Sequence, residues 1–308
     1  MAELRIRGFR LRDFPQVLDL AQSSFPEEMA LWGFTPARGF ALFCAYGALR
    51  AWQRLRTRLL FQFYIGEVAG RVVAGAMVEW RKHYAYVQTV MVHPEFRGKG
   101  IGRRIVEHAV AEAFHLGAPK VVLHVRPDNP PALRLYTRLG FRPFEERVVL
   151  VREGREPVQG KPWPPRFRLL RARPWDPRVQ AVREAAREPE AARVYGPPEL
   201  PEFPWAFLLR GLHPEFGKTW LLLDAQGQPV AALSLNPRAP MWLSVDLRPE
   251  ERGQGLEEAL LSFGVGQARG PTCLLRADAR DVPLLRAAHK LGFEERMREL
   301  GMVREKER

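Results

Sequence analysis

Arg97-Gly98-Lys99-Gly100-Ile101-Gly102 is a stretch whose residue types and spacing suit anion chemistry. Its glycines let the backbone come close to a ligand, so that several main-chain N–H groups can point at one oxygen. The residues that follow have a helical period. Ile101, Ile105, Ala109 and Ala113 form one stripe, with Val106, Val110 and Phe114 beside it. The loop therefore opens an amphipathic helix, whose N-terminus offers unsatisfied N–H groups and the positive end of its dipole. Arg97, Lys99, Arg103 and Arg104 add formal charge. Together these features predict a diphosphate-binding turn. It is neither a Walker loop nor a G-x-G-x-x-G fingerprint, and glycines alone would also suit a plain tight turn.

The elements that must position this loop alternate between strand and helix periods. Leu4–Phe9 reads as a short strand, and Asp13 is placed to cap a helix through Val17, Leu18 and Ala21. Phe61–Glu67 and Arg71–Trp80 read as a hairpin turning at Val68-Ala69-Gly70, and Tyr84–Val92 as the strand leading into the loop. After the helix over residues 98–116, Lys120–Val125 is an apolar strand of the buried kind. Pro131–Leu139 is a short helix stopped by Gly140, and Phe141–Val151 is a further strand. Residues 41–60 place apolar side chains at helical spacing among Arg50, Arg54, Arg56 and Arg58, which suits a surface helix or a substrate lid.

The series then repeats. Val92–Gly102 (VHPEFRGKGIG) returns as Leu247–Glu257 (LRPEERGQGLE), 155 residues later. Leu139-Gly140-Phe141 returns as Leu291-Gly292-Phe293, 152 residues later. Trp220–Asp224, Val230–Leu235 and Met241–Val245 reproduce the strands. Two copies of one α/β unit account for this. The expected division is residues 1–153, a Pro/Gly-rich linker over 154–166, and residues 167–308.

Two motifs of the first copy together resemble the GNAT superfamily of CoA-dependent N-acyltransferases. Arg97, Gly100 and Gly102 fill its pyrophosphate-binding pattern, Arg/Gln-x-x-Gly-x-Gly/Ala. Asn129-Pro130-Pro131-Ala132, Tyr136 and Gly140-Phe141 match its second signature, in the right order around one helix and one strand. The likeness covers about residues 1–152 and continues more weakly beyond them. It implies an α/β (α+β) fold of two tandem GNAT-like domains, each a mixed, mostly antiparallel central sheet flanked by helices. It also implies an enzyme that moves an acetyl group from acetyl-CoA to a primary amine by direct attack, in the N-terminal copy and without a metal.

The resemblance carries roles with it. The backbone of Val90, Met91 and Val92, where the strand parts from its neighbour at a bulge, would bind the pantetheine arm and the thioester carbonyl. The segment Arg97, Gly98, Lys99, Gly100, Ile101, Gly102 and Arg103 would hold the pyrophosphate, and Asn129 would contact CoA. Such a reaction needs a proton removed from the acceptor ammonium, donors for the oxyanion, and a proton for the leaving thiolate. Tyr136 matches the family's proton donor, and a phenol stays protonated at pH 7; a core tyrosine is its structural alternative. The base is open between His124, which titrates near neutrality, Glu79, and a relay through water. His93, before Pro94 in a turn, reads as structural. In the second copy Glu257 replaces Gly102, Glu258 follows it, Ala288 replaces Tyr136 and Asp281 replaces Asn129. That copy is expected to be degenerate, without catalysis, and to serve as scaffold.

Composition bounds the rest. A chain of 308 residues, 46% hydrophobic and 27% charged, is neither disordered nor fibrous. No apolar run approaches the ~20 residues of a membrane span, and no signal-peptide pattern opens the chain, so a cytoplasmic protein is expected. Two cysteines, Cys44 and Cys273, make no disulfide framework, and no metal-ligand cluster is visible. The net charge is +13, of which +9 lies in residues 1–154. Yet 41 of the 48 basic residues are arginine and no aromatic-interleaved basic run occurs, so nucleic acid is not expected as a partner. The scarcity of asparagine and 27 prolines fit a thermophilic source. The acceptor is open between a small molecule and a protein N-terminus or lysine, and the assembly between monomer and homodimer. The competing reading is a non-catalytic protein that binds CoA, a small ligand or a partner.

Overall fold

The computed structural model describes residues 3–31, 61–154, 158, 162–173, 175–197, 217–236, 241–267 and 270–307. The chain divides into two compact units, Met1–Pro143 with Gly301–Arg308, and Phe144–Leu300.

In the first unit the strands β1 (Arg5–Gly8), β2 (Phe61–Val68), β3 (Arg71–Trp80), β4 (Ala85–Val92) and β5 (Lys120–Val125) lie side by side in that order. Pairing is antiparallel as far as β4, and β4–β5 is parallel. The helices are α1 (Phe14–Ser24), α2 (Pro26–Leu31), α3 (Ile101–His115) and α4 (Pro130–Arg138). The stripe read from the sequence is the face α3 buries: Ile101, Ile105, Val106, Ala109, Val110 and Ala113 are all inside. Val17 and Leu20 of α1 form a second cluster with Phe9, Phe63, Ile65, Val72 and Met91. The β2–β3 turn is left-handed at Ala69 (φ +49°) and Gly70 (φ +81°), the primed geometry that a two-residue hairpin favours.

Asp13 is at the start of α1 but caps nothing there. Its buried carboxylate instead takes the Arg7 guanidinium at 2.7 Å and the Arg10 amide at 2.7 Å, which ties β1 to the helix. An internal arginine outcompeted the orphan helix amides, because a charge-assisted pair is the stronger bond.

The second unit has the order β6 (Arg142–Glu153), β11 (Thr272–Asp278), β10 (Met241–Leu247), β9 (Pro229–Leu235), β8 (Lys218–Leu223), β7 (Arg168–Ala172). Among the described strands β10–β11 pair in parallel, as β4–β5 do in the first unit. Its helices are α5 (Pro177–Ala186), α6 (Pro189–Tyr195), α7 (Leu256–Gly266) and α8 (Val282–Lys290). The fold class expected from the sequence is the one observed.

The strand after each Gly-Phe is shared out differently from the linear division at 153 and 167. Arg147–Glu153 of β6 pairs with β11, inside the second unit. The last strand, β12 (Glu294–Glu305), sends Gly301 onward into the first unit, beside β5, where the Lys306 amide donates to the Pro119 carbonyl at 3.0 Å. A bare β5 edge would leave ladder groups unpaired. Met302 (2% exposed) and Val303 (0%) cover it from the far end of the chain. The helix expected over 41–60, with Cys44, lies outside the described residues. Among the described residues no helix is long and apolar enough to cross a membrane.

Met302→Ala should therefore cost about 2–5 kcal/mol, the usual range for emptying a buried methionine. Hydrogen exchange should report the loss in β5 and α3, more than a hundred residues away in sequence, rather than in α5–α8.

Candidate active site

The loop between β4 and α3 has the geometry an anion needs. Gly98 (φ +73°) and Gly100 (φ +76°) are left-handed, a conformation that strains any L side chain. Gly100 is the N-cap of α3, among the described residues no side chain caps the helix, and its first turn contains no acid. The opening amides are therefore left for a ligand or solvent. Ile101 is buried and anchors the turn to the core. Gly102 sits where β4, α3 and α4 meet: an added Cβ would lie 3.5 Å from Val92 and 3.8 Å from Leu135. The basic side chains divide. Arg97 donates Nε to the Val92 carbonyl at 3.1 Å, and the Lys99 ammonium lies 5.0 Å over the Phe96 ring. Arg103 pairs with Glu107 at 2.7 Å and Arg104 reaches the Leu4 carbonyl, so these two are spent on the fold.

The strand leading into the loop leaves its neighbour. β4 pairs with β5 only from Ala85↔Val121 to Val87↔Leu123. On the other side its register with β3 jumps from Met77↔Thr89 to Val78↔Val87, which leaves Gln88 as a bulge. From Thr89 to Val92 the main-chain groups that point away from β3 have no ladder partner in β5. Val90, Met91 and Val92 line this opening, with the Met91 side chain turned into the core. His124 is the first residue of β5 beyond the last paired position.

The remaining candidates occupy its surroundings. Tyr136 is buried on α4 with its ring edge-on to Phe141, 6.0 Å between centroids. Burial pushes its phenol up to about 12. His124 Nδ1 is 2.9 Å from the Tyr86 hydroxyl. Glu79 has both oxygens engaged, one by Arg81 at 2.7 Å and one by the Gln88 amide at 2.7 Å. Asn129 is the N-cap of α4, its carbonyl oxygen accepting from Ala132 N–H at 3.2 Å, so only its amide NH₂ is left to face outward. His93 accepts from the Glu95 amide and lies 2.9 Å from Arg71, a turn role as read. Arg126, two residues past His124, binds Glu27 of α2 at 2.7 Å and Asp128 at 2.6 Å, and its guanidinium holds the Asp128 carboxyl below the usual range. Nothing in the residue pattern marks Tyr86 or Gln88: a bulge has no composition, and tyrosine in a strand reads as packing.

The second copy keeps the turn and fills it. Gly253 (φ +76°) and Gly255 (φ +88°) repeat the glycine conformations. Glu257, where the first copy has Gly102, is 3% exposed and curls back so that its Oε1 accepts the Gly253 N–H at 2.6 Å. Glu258 is held by Lys290 at 2.8 Å. Arg252, the counterpart of Arg97, turns to the Ala186 carbonyl, Glu188 and Asp281. Asp281 caps α8 through the Leu284 amide at 3.1 Å, the same job Asn129 does, so that substitution preserves a helix start. Ala288, opposite Tyr136, is fully buried.

Residues 15–141 match the acetyltransferase (GNAT) family. An acetyltransferase of Sodalis glossinidius (strain morsitans) is 32% identical over 89 residues, 29% of this chain and 62% of that relative's length. A GCN5-related N-acetyltransferase from Sphaerobacter thermophilus superposes over 98% of this chain and 95% of its own with a TM-score of 0.66 at 22% identity. A tandem GNAT protein from the clavulanic acid biosynthesis pathway does so over 98% of each chain with a TM-score of 0.63 at 17% identity. These structures share the fold.

Glu257 supplies the geometry for a direct test. Gly102→Glu should curl onto the Gly98 amide as Glu257 curls onto Gly253, and should lower the affinity of a diphosphate-bearing probe, acetyl-CoA in calorimetry, by about fivefold or more, since a like charge at ~4 Å costs about 1 kcal/mol even in water and more in a cleft. Gly102→Ala, whose methyl meets only ordinary contacts, should bind within about twofold of the parent.

Proposed function

We propose that this chain, which carries a GNAT acetyltransferase domain in residues 15–141, is an N-acetyltransferase. Its N-terminal unit would transfer the acetyl group of acetyl-CoA to a primary amine on a small molecule, a protein N-terminus or a lysine. One observation carries this reading: an uncapped amide cradle follows directly on a strand that parts from its neighbour at a bulge. The first feature suits a diphosphate and the second an extended amide-bearing chain that needs main-chain partners. Acetyl-CoA contains both and supplies the electrophilic thioester.

The residues then have distinct tasks. Amides of residues 98–103 hold the diphosphate, with Arg97 and Lys99 beside them. Those main-chain N–H groups of Thr89–Val92 that point away from β3 bind the pantetheine arm and donate to the developing oxyanion. His124 takes the acceptor's proton. It is favoured over Glu79, whose oxygens are already engaged by Arg81 and Gln88. Tyr136 gives a proton to the leaving sulfur. Its buried ring and raised phenol keep that proton in place through any physiological pH. The second unit, its cradle filled by Glu257, serves as scaffold.

Thiol release from acetyl-, propionyl- and succinyl-CoA, screened against amino acids, polyamines, aminoglycosides and N-terminal peptides, should find acetyl-CoA-dependent turnover with at least one amine. Release that no amine accelerates would contradict the reading. Tyr136→Phe should lower kcat by about 10²-fold or more while leaving acetyl-CoA affinity intact. An unchanged kcat would return Tyr136 to the core. The tyrosinate absorbance that this variant removes should appear only near pH 12, because burial raises the phenol to about that value.

A further inference from the structure

We propose that the second unit holds a binding site for a small zwitterion of the α-amino acid class, between Arg183 of α5 and Asp246 of β10; the site does not depend on the acyl-transfer reading. In the repeat Val92 corresponds to Leu247, so Met91 corresponds to Asp246 and Thr89 to Ser244. Strand register carries the correspondence across each sheet. In the first unit Thr89 stands opposite Met77 and Met77 opposite Phe63; in the second Ser244 stands opposite Ser234 and Ser234 opposite Thr219. The covering helices match on Pro15 and Pro177, with the buried Val17 and Leu20 answering to Val179 and Val182, which puts Arg183 where the first copy has Ala21. Ala21, Phe63, Met77 and Met91 belong to one apolar cluster. The same four places in the second unit hold Arg183, Thr219, Ser234 and Asp246, all polar.

The cluster is incompletely satisfied. Thr219 and Ser234 are buried, with their hydroxyls 3.2 Å apart. Arg183 donates Nη2–H to Ser234 Oγ at 2.8 Å, and the Ser244 hydroxyl donates to Asp246 Oδ2 at 3.2 Å. Arg183 Nε and Asp246 Oδ2 face each other at 3.6 Å, an ion pair too long to be a hydrogen bond. A guanidinium has five N–H donors. Among the described residues this one makes a single hydrogen bond, although its side chain is only 15% exposed. Stability does not account for the arrangement. Replacing a buried ion pair by well-packed hydrocarbon is often neutral or stabilising, and the first copy shows that hydrocarbon fits this place.

The two charges together select the ligand. A simple anion at Arg183 would meet the Asp246 carboxylate, and a simple cation at Asp246 would meet the guanidinium. A molecule with both charges side by side satisfies both. An α-amino acid has its carboxylate and its ammonium on adjacent carbons. The carboxylate accepts from the free N–H groups of Arg183, and the ammonium donates to Asp246, both as charge-assisted hydrogen bonds. Ser244, beside Asp246, adds a hydroxyl to the same face.

The test is calorimetry on the full-length protein with the common α-amino acids as probes. At least one should bind with a Kd of about 1 mM or tighter, and acetate and methylammonium, which carry one charge each, should bind about tenfold more weakly or not at all. Asp246→Asn, which keeps the shape and removes the charge, should weaken the amino acid about tenfold or more. Arg183→Leu combined with Asp246→Met, which returns hydrocarbon to the site, should abolish binding and leave Tm at or above that of the parent. Amide hydrogen exchange should place the new protection at residues 230–235 and 241–247. No binding by any amino acid, equal binding by acetate, or unchanged binding in these variants would overturn the proposal. Protection confined to residues 85–92 would overturn it too, because the amino acid would then be bound as an acyl acceptor. Where the double variant fails to fold, Asp246→Asn and the wild-type ligand series decide.

Discussion

An α-helix starts with backbone N–H groups that its own ladder cannot reach, and something must meet them. This chain contains the same glycine turn twice, each opening a helix from a glycine N-cap, and the two turns differ in what occupies them. At α3 no described side chain meets those groups: Gly100 has no side chain, no acid follows in the first turn, and Arg97 and Lys99 stand close by. At α7 the N-cap glycine likewise makes no side-chain cap, but Glu257 returns its carboxylate to the Gly253 amide in the turn ahead of the helix. A carboxylate is the protein's own stand-in for a phosphate oxygen. Once it is in place, Arg252 is no longer needed near the turn and is drawn to Glu188 and Asp281. The two turns thus differ in whether an internal carboxylate already occupies a turn amide ahead of the helix.

The second requirement is an opening in a sheet. Strands that pair along their whole length leave no main-chain groups for a ligand. Here the Gln88 bulge rotates β4 out of register with β3, and pairing with β5 stops at Val87↔Leu123. The bulged Gln88 then binds Glu79. Beyond that point β5 must be held by its other edge, and the chain's last residues hold it: Met302 and Val303 are buried in the unit that contains His124. The strand that bears the proposed base thus depends on residues almost two hundred positions away.

Much of this was legible in the sequence. The stripe Ile101, Ile105, Ala109, Ala113 has a 3.6-residue period, and the α3 core contacts follow it. The duplicated turn was plain because glycine, proline and arginine recur at one spacing. Other features were not legible, for physical reasons. The exchange of the strands after Gly140 and Gly292 leaves no local mark, since β6 and β12 have ordinary strand patterns whichever neighbour they join. Asn129 suggested a ligand contact, yet with Asp281 in the matching place it is first of all a helix cap. Asp13 suggested a cap and is an ion pair. A short polar side chain before a helix has several partners within reach, and only the fold selects among them.

The central claim is that one of two similar turns is open to a diphosphate and the other is closed by its own side chain. Amide hydrogen exchange with and without saturating acetyl-CoA measures both turns in one experiment. The account predicts new protection at residues 89–103 and none at residues 244–258. Protection at residues 252–257, or at neither turn, would contradict it.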